Sequence, residues 1–243
     1  MKLRAMRKGL VFIFIANACL FSCSDNEAPV LDWGLDYFPV RVGAFHVYQV
    51  EETTVVQSVE TKAVYELRVT VKDSSINEQG ITTYWLLREK RATVSSNWES
   101  LDTWSVKMVG SKMLQNEGNV LFVKLFFPLS RDLKWNGNEF NNLPNSGNIF
   151  NDRNSELYSI GGIDLPTALP SGFETDHSLE VVHNNYEDPI IGSDQRKEIY
   201  AKGVGLIYKE ITQLQYCTAN CPAPKRIDKG LIFVQTLKEH GQN

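Results

Sequence analysis

Four ionisable side chains fall within ten residues of one another: Glu174, Asp176, His177 and His183. Carboxylates and imidazoles are the groups that acid–base catalysis or a metal centre would use. On a strand starting near Ser178, His183 and Glu174 reach a common point only through a bend. The plainer reading is a solvated loop running into the wet face of a strand. Asn151, Asp152, Asn154, Ser155 and Glu156 offer oxygen ligands, yet Arg153 sits among them and the spacing is not that of an EF-hand loop. His46 lies in a strand-like run and reads as a packed or exposed strand residue. There is no Gly-x-Ser-x-Gly elbow, His-Glu-x-x-His pair or Walker-type loop. No catalytic residue, metal or cofactor is assigned, and the chain is read as a non-enzyme.

The clearest chemistry belongs to Cys23. It follows Leu20-Phe21-Ser22 at the end of an apolar run from Gly9 to Phe21, itself preceded by Lys2, Arg4, Arg7 and Lys8. The run is shorter than the roughly 20 apolar residues that span a bilayer. A basic start, a short apolar core and a small residue before the cut are the parts of a secretory signal. With its terminal cysteine, the segment resembles a bacterial lipoprotein export signal. The resemblance implies cleavage before Cys23, a thioether lipid on its sulfur and acylation of its new amino group. Two or more acyl chains anchor a protein stably to a membrane. Ser24 follows Cys23 where inner-membrane retention usually has Asp, so outer-membrane sorting is expected. Ser24-Asp25-Asn26-Glu27 resembles the acidic surface-export signal of Bacteroidetes lipoproteins, which tips the expectation from the periplasmic face towards the cell surface.

Two further cysteines, Cys217 and Cys221, would then sit in an oxidising compartment. A disulfide is the natural reading. Bridged Cα atoms lie within about 7 Å, so the three residues between them must turn. So small a loop gives about 2 kcal/mol in the chain-entropy model. A zinc site would need about four ligands; no second cysteine pair exists, and the nearest histidine in sequence is His240. Cleavage removes four of 25 basic residues and none of 29 acidic ones, leaving a net charge of −8. Nucleic acid is an unsuitable partner for such a chain.

The elements that must position these residues are strands. Tyr65 to Lys72 alternates without a fault and places Tyr65, Leu67, Val69 and Val71 on one face. Turn residues from Asn77 to Gly80 lead to a return strand over 81–88. Further strands are expected at 44–57, 101–109, 119–127, 178–184, 195–202, 205–216 and 230–238. The segment 128–176 is rich in Asn, Gly, Pro and Ser and reads as irregular, with Trp135, Phe140, Phe150 and Tyr158 covering a core edge or meeting a ligand. The expected organisation is a signal peptide at 1–22, a lipidated tether at 23–34 and one β-rich domain at 35–240. Its fold class is all-β: a curved antiparallel sheet or incomplete barrel, in a single domain.

Two stretches carry a family resemblance. Tyr37-Phe38-Pro39-Val40 followed by Gly43-Ala44-Phe45-His46-Val47-Tyr48 resembles the opening motif of a β-rich Bacteroidetes lipoprotein family. Tyr200-Ala201-Lys202-Gly203-Val204-Gly205-Leu206-Ile207 resembles the late motif of the same group, and Phe127-Pro128-Leu129 to Trp135-Asn136-Gly137 matches it in the middle. Phe45 stands where the family usually has Trp. The plan is distantly similar to half-barrel lipid carriers of the LolA/LolB type. The resemblance implies an envelope lipoprotein and supplies no catalytic residue.

Three functions compete on this reading. The first is a carrier or binding module for an apolar or amphipathic ligand, with Trp85 or Trp104 on its inner face. The second is an interaction subunit of an envelope complex that recognises a protein partner through loop 128–176. The third, a glycan or envelope hydrolase, needs Glu174, Asp176 and a histidine to converge. Cys23→Ala is expected to release the protein from membranes or leave its precursor uncleaved. Fractionation and immunoblotting check this, and normal processing with unchanged attachment would overturn the lipid-site assignment.

Overall fold

The computed structural model describes residues 32–141, 157–219, 221 and 227–243. The signal segment, Cys23, Phe150 and the oxygen-rich run 151–156 lie outside the described residues.

From Trp33 to Asn243 the chain forms one compact unit. A single 3-10 turn, Leu35–Tyr37, precedes twelve strands. These are β1 Ala44–Val56, β2 Val59–Ile76, β3 Thr82–Arg91, β4 Glu99–Val109, β5 Lys112–Glu117 and β6 Val120–Phe126 in the first half. The second half holds β7 Lys134–Asn136, β8 Leu157–Ala168, β9 Glu174–Asp188, β10 Gly192–Ala201, β11 Gly205–Tyr216 and β12 Ile227–Gln242. All pair antiparallel in one sheet, ordered β6-β5-β4-β3-β2-β1-β12-β11-β10-β9-β8-β7. Each half is a meander, and β1 against β12 joins them at the centre.

This order leaves β6 and β7 as the two edges, and exposed edges invite unwanted pairing. Here the edges come together. Val123 N–H donates to the Gly137 carbonyl at 2.9 Å. The Trp135 indole donates to the Val123 carbonyl at 2.8 Å, and Asn141 donates to the Leu121 carbonyl at 2.9 Å. The result is a nearly closed barrel. Gly137 is needed at this seam, because a Cβ there would lie 2.3 Å from the Tyr158 ring.

The expected alternation is present in β2, where Leu67 and Val71 are buried. Its opposite face is only partly wet. Glu66 is buried there, held by Arg91 and Lys238, while Arg68 and Arg91 lie 4.5 and 4.3 Å from the Trp98 ring. The turn at Asn77–Gly80 forms as read, with the Asn77 side chain accepting the N–H groups of Gln79 and Ile81. The 128–176 segment is less irregular than its composition suggests, because it contains β8. That strand carries Gly161, Gly162 and Pro166, a positive φ of 55° at Asp164 and three register shifts against β9. No period of two can survive such interruptions. Trp135 and Tyr158 from this segment belong to the core, ring edge against ring face at 5.8 Å, while Phe140 stays exposed.

Candidate functional site

The interior of the barrel is not uniformly apolar. Lys124 on β6 is buried, and so is Glu198 on β10. The Lys124 Nζ donates to Glu198 Oε1 at 2.6 Å and to Glu117 Oε1 at 3.1 Å. Glu117 comes from β5, so the ammonium joins carboxylates from opposite halves of the chain. Lys209 on β11 adds a second cation, 3.4 Å from Glu198 Oε1 and 3.6 Å from Glu117 Oε2. Tyr200 donates its hydroxyl to Glu198 Oε2 at 2.5 Å, and Gln115 donates to Glu117 Oε1 at 3.0 Å.

Two bulges turn key members of this cluster inwards. In the β5–β6 ladder Leu114 pairs with Val123 and Met113 with Leu125, leaving Lys124 without a partner. In the β9–β10 ladder Arg196 pairs with Asn184 and Lys197 with Val182, leaving His183 unpaired. A bulge re-aims a side chain that strict alternation would place elsewhere. His183 stacks on the Tyr158 ring at 3.9 Å and lies 3.4 Å from Glu198 Oε2, without the alignment of a hydrogen bond.

Burial works against every charge here, and the partners decide the outcome. Burial pushes Lys124 down, but the Glu117 and Glu198 carboxylates overcome it and hold its pKa above the usual lysine value. Burial pushes Glu198 up, and Lys124, His183 and Lys209 outweigh it, so its carboxyl titrates well below the usual range. Burial pushes the His183 imidazole down to about 4, which leaves it neutral at pH 7. Burial and the Glu198 charge both raise the Tyr200 phenol, which stays a donor.

Beside this cluster lies a cavity of about 100 Å³ that opens to solvent. Glu117, Lys124, Glu198 and Lys209 form its charged wall, while Leu67, Val69, Val71, Leu86 and Val106 form an aliphatic one. Arg88 also lines it, its guanidinium 3.7 Å from the Trp104 ring and its Nη1 donating to both Asp102 oxygens at 2.9 and 2.8 Å.

The two sequence stretches singled out above meet at this cavity. Gly203 N–H donates to the Asp36 carbonyl at 2.8 Å, and the Phe38 and Tyr200 rings lie 5.7 Å apart. Tyr48 donates to the Leu206 carbonyl at 2.9 Å. His46 Nε2 lies 2.8 Å from the Val204 carbonyl, which can only accept, so that nitrogen carries the proton. Gly203 and Gly205, at φ 74° and 100°, make the bend between β10 and β11 that brings these carbonyls inwards.

The four residues proposed for acid–base or metal chemistry do not converge. His183 points into the barrel, whereas His177 is exposed and pairs with Asp164 at 3.0 Å. Six strand residues separate them by roughly 20 Å. Glu174 and Asp176 are exposed near the start of β9. Among the described residues no three His, Cys, Asp or Glu side chains are placed to hold a metal. Trp104 lines the cavity as expected, while Trp85 is exposed on the outside. Cys217 and Cys221 form a disulfide with Cα atoms 5.7 Å apart, in the β11–β12 connection and outside the cavity lining.

No protein-family model matches this chain, and no curated protein matches it in sequence. Two solved structures are similar. One is a "putative exported protein with YmcC-like fold" from Bacteroides fragilis NCTC 9343, with TM-score 0.39 and 11% identity, covering 84% of this chain and 98% of that one. The other is a "putative lipoprotein" from Parabacteroides distasonis ATCC 8503, with TM-score 0.37 and 12% identity over the same shares.

Lys124→Met leaves the buried Glu198 and the half-buried Glu117 with only their longer contacts to Lys209. Breaking a buried pair in this way costs about 3–5 kcal/mol, so the urea midpoint should fall sharply, and adding Glu198→Gln should recover part of the loss. The pH dependence has a definite sign. In the unfolded chain His183 returns to about 6.5 and binds a proton that the folded state refuses. Its contribution is complete above pH 6.5 and is lost as pH falls towards 4, by up to about 3 kcal/mol. Denaturation followed between pH 7 and 4 should show this slope, and His183→Gln should flatten it.

Proposed function

We propose that the protein is a lipid-anchored binding module of the outer membrane that holds a small amphipathic molecule in its barrel and performs no chemistry on it. The cavity with one charged and one aliphatic wall carries this reading. The lipoprotein-like segment ending at Cys23 supports the anchor, and the Cys217–Cys221 disulfide suits an oxidising compartment. Surface display is the favoured orientation, on the strength of Ser24-Asp25-Asn26-Glu27.

Size constrains the ligand. The cavity, at about 100 Å³, is smaller than the roughly 150 Å³ engineered cavity that binds benzene. Sites for drug-sized ligands occupy roughly 300–1,000 Å³. The half-barrel comparison suggested a lipid cargo, and an acyl chain does not fit this space. A compact molecule with one polar end does.

A second reading is an interaction subunit. A groove of about 250 Å³ on the outside, lined by Phe45, Val47, Arg68, Arg91 and Trp98, favours it. The arginines there already pair with Glu89 and Glu66, so the groove offers little unspent positive charge.

Native mass spectrometry of protein extracted gently from cell envelopes tests the first reading. A small bound molecule should accompany the wild type and be lost from the cavity-filling variant Val106→Phe. Each protein at its own ligand-free mass, with no adduct on either, would reject the binding-module reading.

A further inference from the structure

We propose that the ligand of the interior cavity enters head first as a small carboxylate, its anionic end received by Lys209 and its short branched body lying on the aliphatic wall. This rests on the binding-module reading and deepens it by naming the ligand class.

Donors outnumber acceptors on the charged wall. Three of the four carboxylate oxygens are occupied, and the fourth, Glu117 Oε2, has only the 3.6 Å contact with Lys209. Glu198 Oε1 accepts from Lys124 and Oε2 accepts from Tyr200. Glu117 Oε1 accepts from both Lys124 and Gln115. An incoming amine would find only Glu117 Oε2, and would have to share it with the Lys209 ammonium already beside it. Lys124 is also spent, because it already donates to two carboxylates.

Lys209 differs. Its Nζ has only the two long contacts, at 3.4 and 3.6 Å, and makes no hydrogen bond among the described residues. An ammonium carries three N–H donors and no acceptor. Its side chain keeps 17% exposure while Lys124 keeps 5%, so Lys209 is the cation that a ligand can reach. Arg88 provides a second source of donors. Its Nη1 takes both Asp102 oxygens and its Nε is too buried for a ligand to reach, while its Nη2 makes no hydrogen bond among the described residues. The wall therefore has more unspent donors than acceptors: the Lys209 ammonium and Arg88 Nη2 against the single oxygen Glu117 Oε2. The matching head group is an acceptor, and beside a cation an anionic acceptor forms the stronger bond.

The opposite wall sets the other end. Leu67, Val69, Leu86 and Val106 present only methyl and methylene groups. In about 100 Å³, less than the benzene-sized cavity of roughly 150 Å³, about four carbons including the carboxyl can be held. Isobutyrate has this shape.

The test uses three probes of nearly equal size with the full chain: isobutyrate, isobutyramide and isobutylamine. Binding is read by ligand-observed NMR and by chemical-shift titration of the backbone amides of β10 and β11. Isobutyrate should bind at least tenfold more tightly than isobutylamine and more tightly than the amide. Lys209→Gln should weaken isobutyrate at least tenfold while leaving isobutyramide within about twofold, and Lys209→Arg should restore most of the difference. If the amine or the amide binds as well as the acid, the carboxylate inference is wrong and the binding-module reading survives. If none of the three perturbs the cavity amides, while native mass spectrometry shows a bound molecule of another class, the carboxylate inference again fails alone. If no probe binds and no molecule is retained, the cavity holds water only and both fail. The probe series needs no variant, so an unfolded Lys209→Gln does not blunt the test.

Discussion

Two carboxylates and two ammonium groups inside a barrel impose a constraint that the rest of the fold must satisfy. Moving such ions out of water costs several kcal/mol each, and only close opposite charges offset it. Here each half of the chain supplies one carboxylate and one ammonium, and the shortest contact, Lys124 to Glu198 at 2.6 Å, joins the halves. Glu117 and Lys124 belong to the β1–β6 meander, Glu198 and Lys209 to the β7–β12 meander. The Lys124 bond to Glu198 spans 74 residues. Folded apart, the halves would keep only the longer contacts, Lys124 to Glu117 at 3.1 Å and Lys209 to Glu198 at 3.4 Å. Closing the barrel is what gives the buried Glu198 its closest cation. The seam obeys the same logic, since β6 carries both Lys124 and the Val123 backbone groups that meet β7.

The bulges make this arrangement possible. A strand of strict alternation can place a lysine among inward residues only by placing its neighbours outwards. The irregularities at Lys124 and His183 loosen that rule locally, so that Val123, Lys124 and Leu125 are all buried. On β9 the bulge residue His183 stacks flat on Tyr158, which in turn packs against Trp135 of the seam strand. The neutral imidazole therefore links the ionic cluster to the closure point through aromatic contact, without adding a third cation to a balanced set.

The strands were legible where alternation was intact. Residues 205–216 form β11 as expected, and 44–57 matches β1 to one residue at its end. β5 was missed because it is six residues long, and the ladder bulge falls opposite its Met113 and Leu114. β7 has only three residues, and β8 is broken three times by glycines, a proline and shifted register. The site was legible only in part. His183 drew attention, but for neighbours it does not meet. Lys124 stood in plain view as a lone charge within Val120-Leu121-Phe122-Val123-Lys124-Leu125-Phe126-Phe127, and a buried charge must have a partner. Its partner Glu198 gave no such signal, because Gln195 to Glu198 reads as an ordinary polar strand edge. Pairings across 74 residues are set by topology, which periodicity does not encode.

The opening and late motif stretches gain a common explanation from the same geometry. His46 and Tyr48 on β1 reach past β12 to the carbonyls of Val204 and Leu206, which the bend at Gly203 and Gly205 has turned inwards. Those contacts fix β11 just before Lys209. Tyr200, three residues before Gly203, spends its hydroxyl on Glu198. One motif therefore holds the strand that carries the accessible cation, and the other supplies a hydroxyl that keeps its carboxylate partner occupied. A cluster replaced by aliphatic side chains of similar volume would often be as stable or more so, so stability alone gives little reason for charge in this interior. What an aliphatic core could not supply is a set of cations whose donors exceed the acceptors around them, held rigid beside an open space.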